Sequence, residues 1–180
     1  TDAHFQLSTS LEVFDVIKEC FQPRFRSALE ESIRYMHEIP LVVGKTTMLV
    51  GEHGVSSGSN WTNFIETIFD MILAEYVAIE GGYQGLYAIG DDMSWSSSNY
   101  NEQFSQLLTE IGESVGQEIK AEKTTNDPDK VKSLQRLFQR GYVRPDGKLR
   151  AVYSTIRALK SIVYPERFHS PKVWSKDMEV

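Results

Sequence analysis

The apolar residues of the first forty positions recur at the spacing of an α-helix, in two runs. The first run is Leu11, Phe14, Ile17 and Phe21, and the second is Phe25, Leu29, Ile33 and Met36. Pro23 lies between them. Because proline cannot donate a backbone hydrogen bond and clashes with the preceding helical turn, the pattern predicts a helical pair or one bent helix.

A strand-like pattern follows the two helical runs. Leu41–Val43 and Thr46–Val50 are short apolar and β-branched stretches on either side of Gly44-Lys45, which predicts two strands around a tight turn. After a stretch rich in glycine and serine, Gly51 to Ser59, the helical spacing returns from Asn60 to about Ile79. Gly81 and Gly82 are expected to end this long helix.

The next apolar positions predict a second hairpin and another helix. Leu86–Ile89 and Met93–Trp95 flank Gly90-Asp91-Asp92, so two strands are expected to meet at an acidic turn. Helical spacing then extends from Tyr100 to about Val115.

Beyond this helix the pattern weakens. It indicates strands near Ile119 and at Leu134–Phe138, and a helix from about Ala151 to Ile162. Helices and hairpins alternate along the chain, which predicts an α+β fold with an antiparallel sheet packed on helices.

Charge divides the chain into two halves. Residues 1–119 hold 5 Lys and Arg against 18 Asp and Glu (5 − 18 = −13), and residues 120–180 hold 14 against 7 (14 − 7 = +7), which together give the net −6. One interpretation is an acidic catalytic half joined to a basic half that follows phosphates. The other is that these charges are ordinary solvated faces.

Length and residue usage narrow the class of protein. With 180 residues, of which 41% are hydrophobic, the chain is expected to bury one core. It starts at Thr1 rather than Met, and it has no leader pattern or long apolar run, so we expect a truncated, soluble, intracellular chain that contacts no membrane. The single cysteine, Cys20, excludes an internal disulfide and is expected to fill the core on a helix.

The first candidate site is the acidic turn Gly90-Asp91-Asp92. Adjacent carboxylates at a hairpin tip concentrate negative charge, and Mg2+ binds carboxylate oxygens while keeping positions open for phosphate. Glycine and aspartate are also common turn residues, so the turn taken alone is equally consistent with a structural role.

The second candidate site precedes it. The loop Gly54–Ser59 runs into the predicted helix and contains Gly58, which lies 33 residues before Asp91 (91 − 58 = 33). Backbone N–H groups and hydroxyls at a helix N-terminus can bind phosphate, ribose or template. An ordinary serine or asparagine helix cap is the alternative, with Thr62 and Asn63 as capping or exposed residues of the first turn.

Together the two segments support a family resemblance. GVSSGSNWTNFIET followed by YAIGDD resembles the second and third palm motifs of viral RNA-dependent RNA polymerases, particularly those of double-stranded RNA viruses of the partitivirus and picobirnavirus type. The resemblance implies that Ser57, Gly58, Thr62 and Asn63 select the ribonucleotide and position the template. It also implies that Asp91, helped by Asp92, binds a catalytic metal.

The chain start resembles the downstream end of the family's first palm motif. By this resemblance, Asp2 contacts the 2′-hydroxyl of the incoming ribose, and the principal metal-binding aspartate would precede Thr1. A terminal residue or helix cap is the alternative for Asp2. The chain departs from the family at Glu66-Thr67 and Asp70, where relatives often have Asp-Ser and Asn. These changes leave open which side chain contacts Asp2.

Two later segments resemble the fourth and fifth palm motifs. Within Gly116–Thr124, Lys123 matches the lysine that protonates the leaving pyrophosphate, with Lys120 as the second choice and a plain surface lysine as the alternative for either. Val131–Phe138 resembles the hairpin that grips the primer end, where Arg136 or Arg140 would contact RNA. An exposed charge on a strand is the alternative for both arginines.

The resemblance implies a fold and an activity. Residues 1–142 would form the palm, and residues 143–180 its end and the start of a thumb. The expected reaction is template-directed transfer of ribonucleotides to an RNA 3′-hydroxyl with Mg2+ or Mn2+, in viral genome replication and transcription. Expected partners are RNA template, primer or nascent strand, nucleoside triphosphates and the remaining polymerase regions, in the host cytoplasm or the virus particle.

Two other functions stay open on the sequence. A reverse transcriptase-like palm would use the same two-metal chemistry, although the loop and helix before the acidic turn argue against it. A non-catalytic RNA-binding domain would use the basic C-terminal third for phosphate contacts and would not depend on Asp91. As an isolated fragment, the chain is expected to be an inactive part of a nucleotidyltransferase.

Overall fold

The computed structural model describes residues 5–56, 58–81, 85–119 and 124–164. They form two compact units that divide between Pro128 and Asp129. The predicted boundary between residues 142 and 143 remains a prediction about the polymerase subdomains, and the segment 165–180 lies outside the described residues.

The first unit begins with the predicted helical pair. Helix α1 spans Leu7–Ile17 and ends in a short 3-10 turn, Lys18–Cys20, and helix α2 spans Pro23–Glu38. Pro23 is the first residue of α2, where its missing N–H costs no helical hydrogen bond. Cys20 is exposed in the 3-10 turn, so its expected place in the core was wrong. The turn leaves the apolar face of α1 before position 20.

A short hairpin comes next. Strands β1, Leu41–Val42, and β2, Met48–Leu49, pair antiparallel as predicted but over only two residues each. The hairpin exposes a set of large apolar side chains: Val42, Val43, Met48, Leu49 and Val50.

Helix α3, Thr62–Gly81, is the centre of the first unit. It packs against α1, against a second hairpin and against helix α4, Phe104–Ser114. The packing follows the apolar stripe of the sequence, because Ile65, Phe69, Leu73 and Val77 are all buried at helical spacing. Phe5 packs edge-to-face on Phe69, with ring centroids 5.1 Å apart.

The predicted acidic hairpin is present. Strand β3, Gly85–Ile89, pairs antiparallel with β4, Asp92–Ser96, and β3 packs on α3. Trp95 of β4 contacts Phe104 of α4 at 5.8 Å between ring centroids. The expected strand near Ile119 is wrong for the described residues, because 117–119 adopt no strand.

The second unit is a three-stranded antiparallel sheet followed by a helix. Strands β5, Lys130–Ser133, β6, Arg136–Gln139, and β7, Val152–Tyr153, lie in that order, and helix α5 spans Thr155–Val163. The predicted strand at Leu134–Phe138 is wrong at its start, because Leu134 and Gln135 form the turn between β5 and β6.

The predicted start of the last helix is also wrong. Ala151 was expected to begin it, but the next two residues pair with β6. The Ser154 hydroxyl accepts a hydrogen bond from the Arg157 N–H and caps the helix at its actual start.

The α+β class and the antiparallel pairing of the strands are thus confirmed. Within the described ranges, no helix combines the length and the apolar character required to cross a bilayer.

Candidate active site

The acidic turn is a tight two-residue connection. Ile89 pairs with Asp92, which leaves Gly90 and Asp91 as the central residues. Gly90 has φ +59°, whereas Asp91 does not have a positive φ, and this is the pattern of a type II′ hairpin turn with glycine first. Asp91 and Asp92 are both exposed, so the turn presents two adjacent carboxylates to solvent.

A threonine on α3 holds this turn in place. The Gly90 N–H donates to Thr67 Oγ1 at 2.8 Å, and the Thr67 hydroxyl donates to the Asn63 carbonyl at 2.7 Å. A Cβ at Gly90 would lie 3.0 Å from Asn63 Nδ2 and 3.4 Å from Glu66 Oε2. The turn therefore rests directly on the first two turns of the helix that follows the Gly54–Ser59 loop.

A buried acid on α3 adds to the negative charge near the turn. Asp70 is only 5% exposed, and its Oδ2 accepts no hydrogen bond from the residues described. Burial, together with the nearby charges of Glu66, Asp91 and Asp92, raises the pKa of Asp70 from 3.8 to about 8, and burial is the largest of these causes. Four acids thus share one region, which favours either proton uptake or a nearby cation.

This arrangement partly fits a divalent metal. Asp91 and Asp92 supply exposed carboxylate oxygens, the ligand type that Mg2+ prefers. The described part of the chain contains no group of three or more His, Cys, Asp or Glu side chains arranged around a metal position. A divalent cation held by these two carboxylates would need substrate oxygens or water as its further ligands.

The Gly54–Ser59 loop is fixed on both sides. Before it turns, the Val55 N–H donates to the Phe5 carbonyl at 3.1 Å. After it, the Thr62 hydroxyl donates to the Ser56 carbonyl at 2.6 Å. Gly58 is exposed with φ +85°, a conformation that glycine adopts without strain.

The two helix residues proposed for selection differ in position. Thr62 is buried at 7% exposure and uses its hydroxyl inside the loop, whereas Asn63 is exposed next to the acidic turn. Of the two alternatives that the sequence left open, capping or exposure, Asn63 is exposed, and the Thr62 hydroxyl bonds the Ser56 carbonyl.

Several predicted site residues lie outside the described residues or belong to the second unit. Asp2, Ser57 and Lys123, with its alternative Lys120, are outside the description. Arg136 and Arg140 belong to the second unit. The Arg136 guanidinium lies 5.1 Å from the centroid of the Tyr153 ring, and Arg140 pairs with Asp129 at 3.0 Å. Their expected RNA contact stays a prediction.

Sequence reasoning missed the part that Thr67 plays. It recorded Glu66, Thr67 and Asp70 only as departures from the family pattern, whereas the structure places all three on the helix that carries the acidic turn. The available signal was their spacing, because positions 63, 67 and 70 lie on one face of a helix. The sequence does not show that this face meets the turn.

Comparison with known proteins extends the picture. No protein-family model matches the chain. A potential RNA-dependent RNA polymerase of human picobirnavirus is 29% identical over 153 residues, which cover 83% of this chain and 28% of that protein.

Two crystal structures have the same fold. The RNA-dependent RNA polymerase of a human picobirnavirus superimposes with a TM-score of 0.80 at 25% identity, over 96% of this chain and 33% of that one. Its insertion loop deletion mutant gives a TM-score of 0.82 at 25% identity, over 98% and 35%. The chain thus spans about a third of the length of the proteins that it matches.

Fold and sequence together match part of a viral RNA-dependent RNA polymerase. The acidic turn lies on the matched region. The particular polymerases matched are those of human picobirnavirus, and this confirms the resemblance drawn from the two central motifs.

Proposed function

We propose that this chain is the catalytic palm region of an RNA-dependent RNA polymerase, which transfers ribonucleotides to an RNA 3′-hydroxyl under the direction of a template. The observation that carries the proposal is the hydrogen bond from Gly90 N–H to Thr67 Oγ1, 2.8 Å long. It joins the acidic turn to the helix that follows the Gly54–Ser59 loop. A metal-binding turn and a nucleotide-binding loop held together on one helix are what such a reaction requires.

In this proposal Asp91 and Asp92 hold Mg2+ or Mn2+. When bound, divalent cations lower the pKa of the attacking hydroxyl and neutralise charge that develops on the phosphate. The protein contributes position: the type II′ turn fixes the direction of both carboxylates, and Thr67 fixes the turn. Asp70, buried behind them, keeps the region negative or takes up a proton.

Ribonucleotide selection is assigned to Asp2, Ser57, Gly58, Thr62 and Asn63. Exposed Asn63, beside the turn, is the described side chain best placed to contact a ribose. Buried Thr62 would act through the loop, because its hydroxyl is already bonded to the Ser56 carbonyl.

The remaining roles follow from the motifs. Lys123 would protonate the leaving pyrophosphate. Arg136 and Arg140 would contact the primer strand from the basic second unit. The partners proposed are RNA, nucleoside triphosphates and the fingers and thumb of the complete polymerase, within the host cytoplasm or the virus particle.

The test is nucleotide incorporation on an RNA template by the complete protein, comparing Asp91→Ala with the unmodified protein in Mg2+ and in Mn2+. We expect Asp91→Ala to reduce incorporation by about a thousandfold or more, because it removes a metal ligand. Asp15→Ala is the matched control, since it removes an exposed aspartate from α1 on the same unit and should leave incorporation unchanged.

Equal activity of Asp91→Ala and the unmodified protein would refute this assignment. RNA binding without incorporation in either metal would instead indicate a binding domain. Preference for deoxyribonucleotides over ribonucleotides would indicate a reverse transcriptase.

A further inference from the structure

A fully buried histidine lies where α1, α2 and the segment before the Gly54–Ser59 loop meet. His37, in the last turn of α2, has 0% exposure. Its Nε2 lies 2.8 Å from the hydroxyl of Ser10 on α1, which is also fully buried. Buried polar groups are retained where hydrogen bonds satisfy them, so this pair fixes the ring between the two helices.

His37 binds the main chain of His53 at two points. The His53 N–H donates to the His37 carbonyl at 2.9 Å. In return, His37 Nδ1 lies 2.8 Å from the His53 carbonyl. Because a carbonyl oxygen can only accept, Nδ1 carries the proton, and Nε2 accepts from the Ser10 hydroxyl. One tautomer therefore satisfies every polar group of this contact.

The residue held in this way is the last one before the loop. The ring of His53 adds two further contacts, from Nε2 to the Ile39 carbonyl at 2.9 Å and from Nδ1 to the Gly54 carbonyl at 2.6 Å. The chain then continues to Val55, whose N–H is bound by Phe5, and to Ser56, whose carbonyl is bound by Thr62. The described contacts of this segment thus begin at His53, directly before the loop, and continue at Val55 and Ser56 inside it.

We propose that His37 is a positioning residue for the Gly54–Ser59 loop: its Nδ1–H bond to the His53 carbonyl sets the point at which the loop leaves the core and hence how it receives a ribonucleotide. This inference rests on the proposed polymerase function. His37 itself touches no substrate, since it is wholly enclosed. Its effect is therefore expected on nucleotide binding and loop order rather than on the chemical step.

Two substitutions of His37 test the roles of its two ring nitrogens separately. The side-chain amide of asparagine can reproduce the Nδ1 donor, and that of glutamine reaches the place of Nε2. His37→Asn thus keeps a donor for the His53 carbonyl and loses Ser10. His37→Gln keeps the Ser10 contact and leaves the His53 carbonyl without its donor. Both replace a buried aromatic ring with an amide, and His37→Asn removes one methylene group more than His37→Gln, so lost packing alone would disturb His37→Asn at least as much.

The experiment measures three quantities on the complete protein: KM and kcat for ribonucleotide incorporation, hydrogen exchange of the segment 53–61, and the thermal unfolding midpoint. For His37→Gln we expect KM to rise about five- to tenfold with kcat nearly unchanged, and exchange in 53–61 to accelerate by a similar factor, as suits the loss of one buried hydrogen bond. His37→Asn should have nearly the same KM and the same exchange rate in 53–61 as the unmodified protein. This difference between the variants should remain even if their unfolding midpoints are equal.

Equal changes in KM and exchange for the two variants would show that His37 serves only to fill the core and would overturn the proposal. So would an unchanged exchange rate of 53–61 in His37→Gln. Failure of the polymerase assignment can be distinguished from failure of the role proposed for His37. In the first case the unmodified protein incorporates no nucleotide, whereas the exchange comparison of the two variants still reports on the loop.

Discussion

Thr67 and Asp70 lie one turn apart on α3 and act on the acidic turn in different ways. Thr67 contributes geometry, because one hydroxyl both accepts from the Gly90 N–H and donates to the Asn63 carbonyl. Asp70 contributes charge, because it is buried near Glu66, Asp91 and Asp92. Each can be tested by replacing one functional group.

Replacing Thr67 by valine should loosen the turn. Valine has the shape of threonine but no hydroxyl, so the Gly90 N–H loses its acceptor at a cost of about 1–2 kcal/mol in unfolding free energy. Incorporation by the complete protein should fall about tenfold or more, because Asp91 and Asp92 would no longer be held in one direction. Steady-state incorporation and urea unfolding of Thr67→Val would measure both effects.

Thr67→Ser is the matched control, since serine keeps the hydroxyl and should retain both bonds. If Thr67→Ser lost as much activity as Thr67→Val, the methyl group and not the hydrogen bond would be responsible.

Replacing Asp70 by asparagine should stabilise the protein in a manner that depends on pH. The pKa of Asp70 is about 8 in the folded protein, against an ordinary value of 3.8 for an aspartate. Below 3.8 the group is protonated in both states and costs nothing, and the folded state loses stability as pH rises from there toward 8. Asp70→Asn removes this loss. The unfolding free energy of the variant should therefore equal that of the unmodified protein at acid pH and exceed it by on the order of 2–4 kcal/mol at pH 7 without metal.

The measurement is urea unfolding of Asp70→Asn and the unmodified protein across this pH range, followed by the fluorescence of Trp61 and Trp95 in the first unit. Glu75→Gln, which neutralises an exposed acid on the same helix, is the control. A gain for Asp70→Asn that did not grow with pH would contradict the burial of a titrating carboxyl. Added Mg2+ should narrow the difference, since a cation offsets the repulsion from Asp91 and Asp92.

At the scale of elements, the turn between β5 and β6 is strained. Ser133 pairs with Arg136, so Leu134 and Gln135 are the central residues of a two-residue hairpin turn, with φ of +48° and +61°. This is the type I′ pattern, which favours asparagine and glycine. Gln135 has a compensating contact, since its Oε1 accepts from Arg157 Nη1 at 3.0 Å. Leu134 is 47% exposed, and its side chain has no hydrogen-bonding group.

Leu134→Asn should therefore stabilise the second unit by about 0.5–1 kcal/mol, because asparagine tolerates a positive φ better than leucine. The unfolding midpoint of the second unit would measure the gain. Leu149→Asn, at a position of similar exposure without a positive φ, is the control. A loss of stability on Leu134→Asn would mean that the leucine side chain contributes more through packing than the turn costs.

The elements that could be predicted from sequence are those in which apolar residues recur at helical spacing over several turns. The stripes of α2 and α3 marked helices that end within a few residues of the prediction, and Pro23 marked the break before α2. Predictions failed where the pattern of apolar residues covered only a few positions. Residues 117–119 are apolar in part without forming a strand, and the start of α5 depends on the Ser154 cap and the pairing of β7 with β6.

At the scale of the molecule, the division of charge follows the two units. The described second unit, residues 129–164, holds 9 Lys and Arg against 2 Asp (9 − 2 = +7). The acidic turn lies in the first unit, and the basic residues proposed for RNA contact lie in the second. Both units also expose apolar surface, on the β1–β2 hairpin and on the described residues of α5, namely Ile156, Leu159, Ile162 and Val163.

The candidate site was predicted in part. Asp91 and Asp92 were recognisable because a hairpin turn and two motifs in order are local features of the sequence. Thr67, Asp70 and His37 were not, because their importance comes from contacts between segments that lie far apart in the chain: 23 residues separate Thr67 from Gly90, and 16 separate His37 from His53. Such pairings depend on the packing of α2 and α3, which the hydrophobic pattern alone does not specify.

Gly90 has a consequence for how such a gene can vary. Glycine codons share their first two bases, and every amino-acid change that one base substitution makes there brings in a side chain. The Cβ of any such residue would lie 3.0 Å from Asn63 Nδ2, so the Asn63 side chain would have to shift. The new residue would also have to adopt the φ of +59° that Gly90 has. Under the proposed function, one copying error at this codon would therefore disturb both the residue assigned to ribose selection and the turn assigned to metal binding, and the two effects would be inherited together.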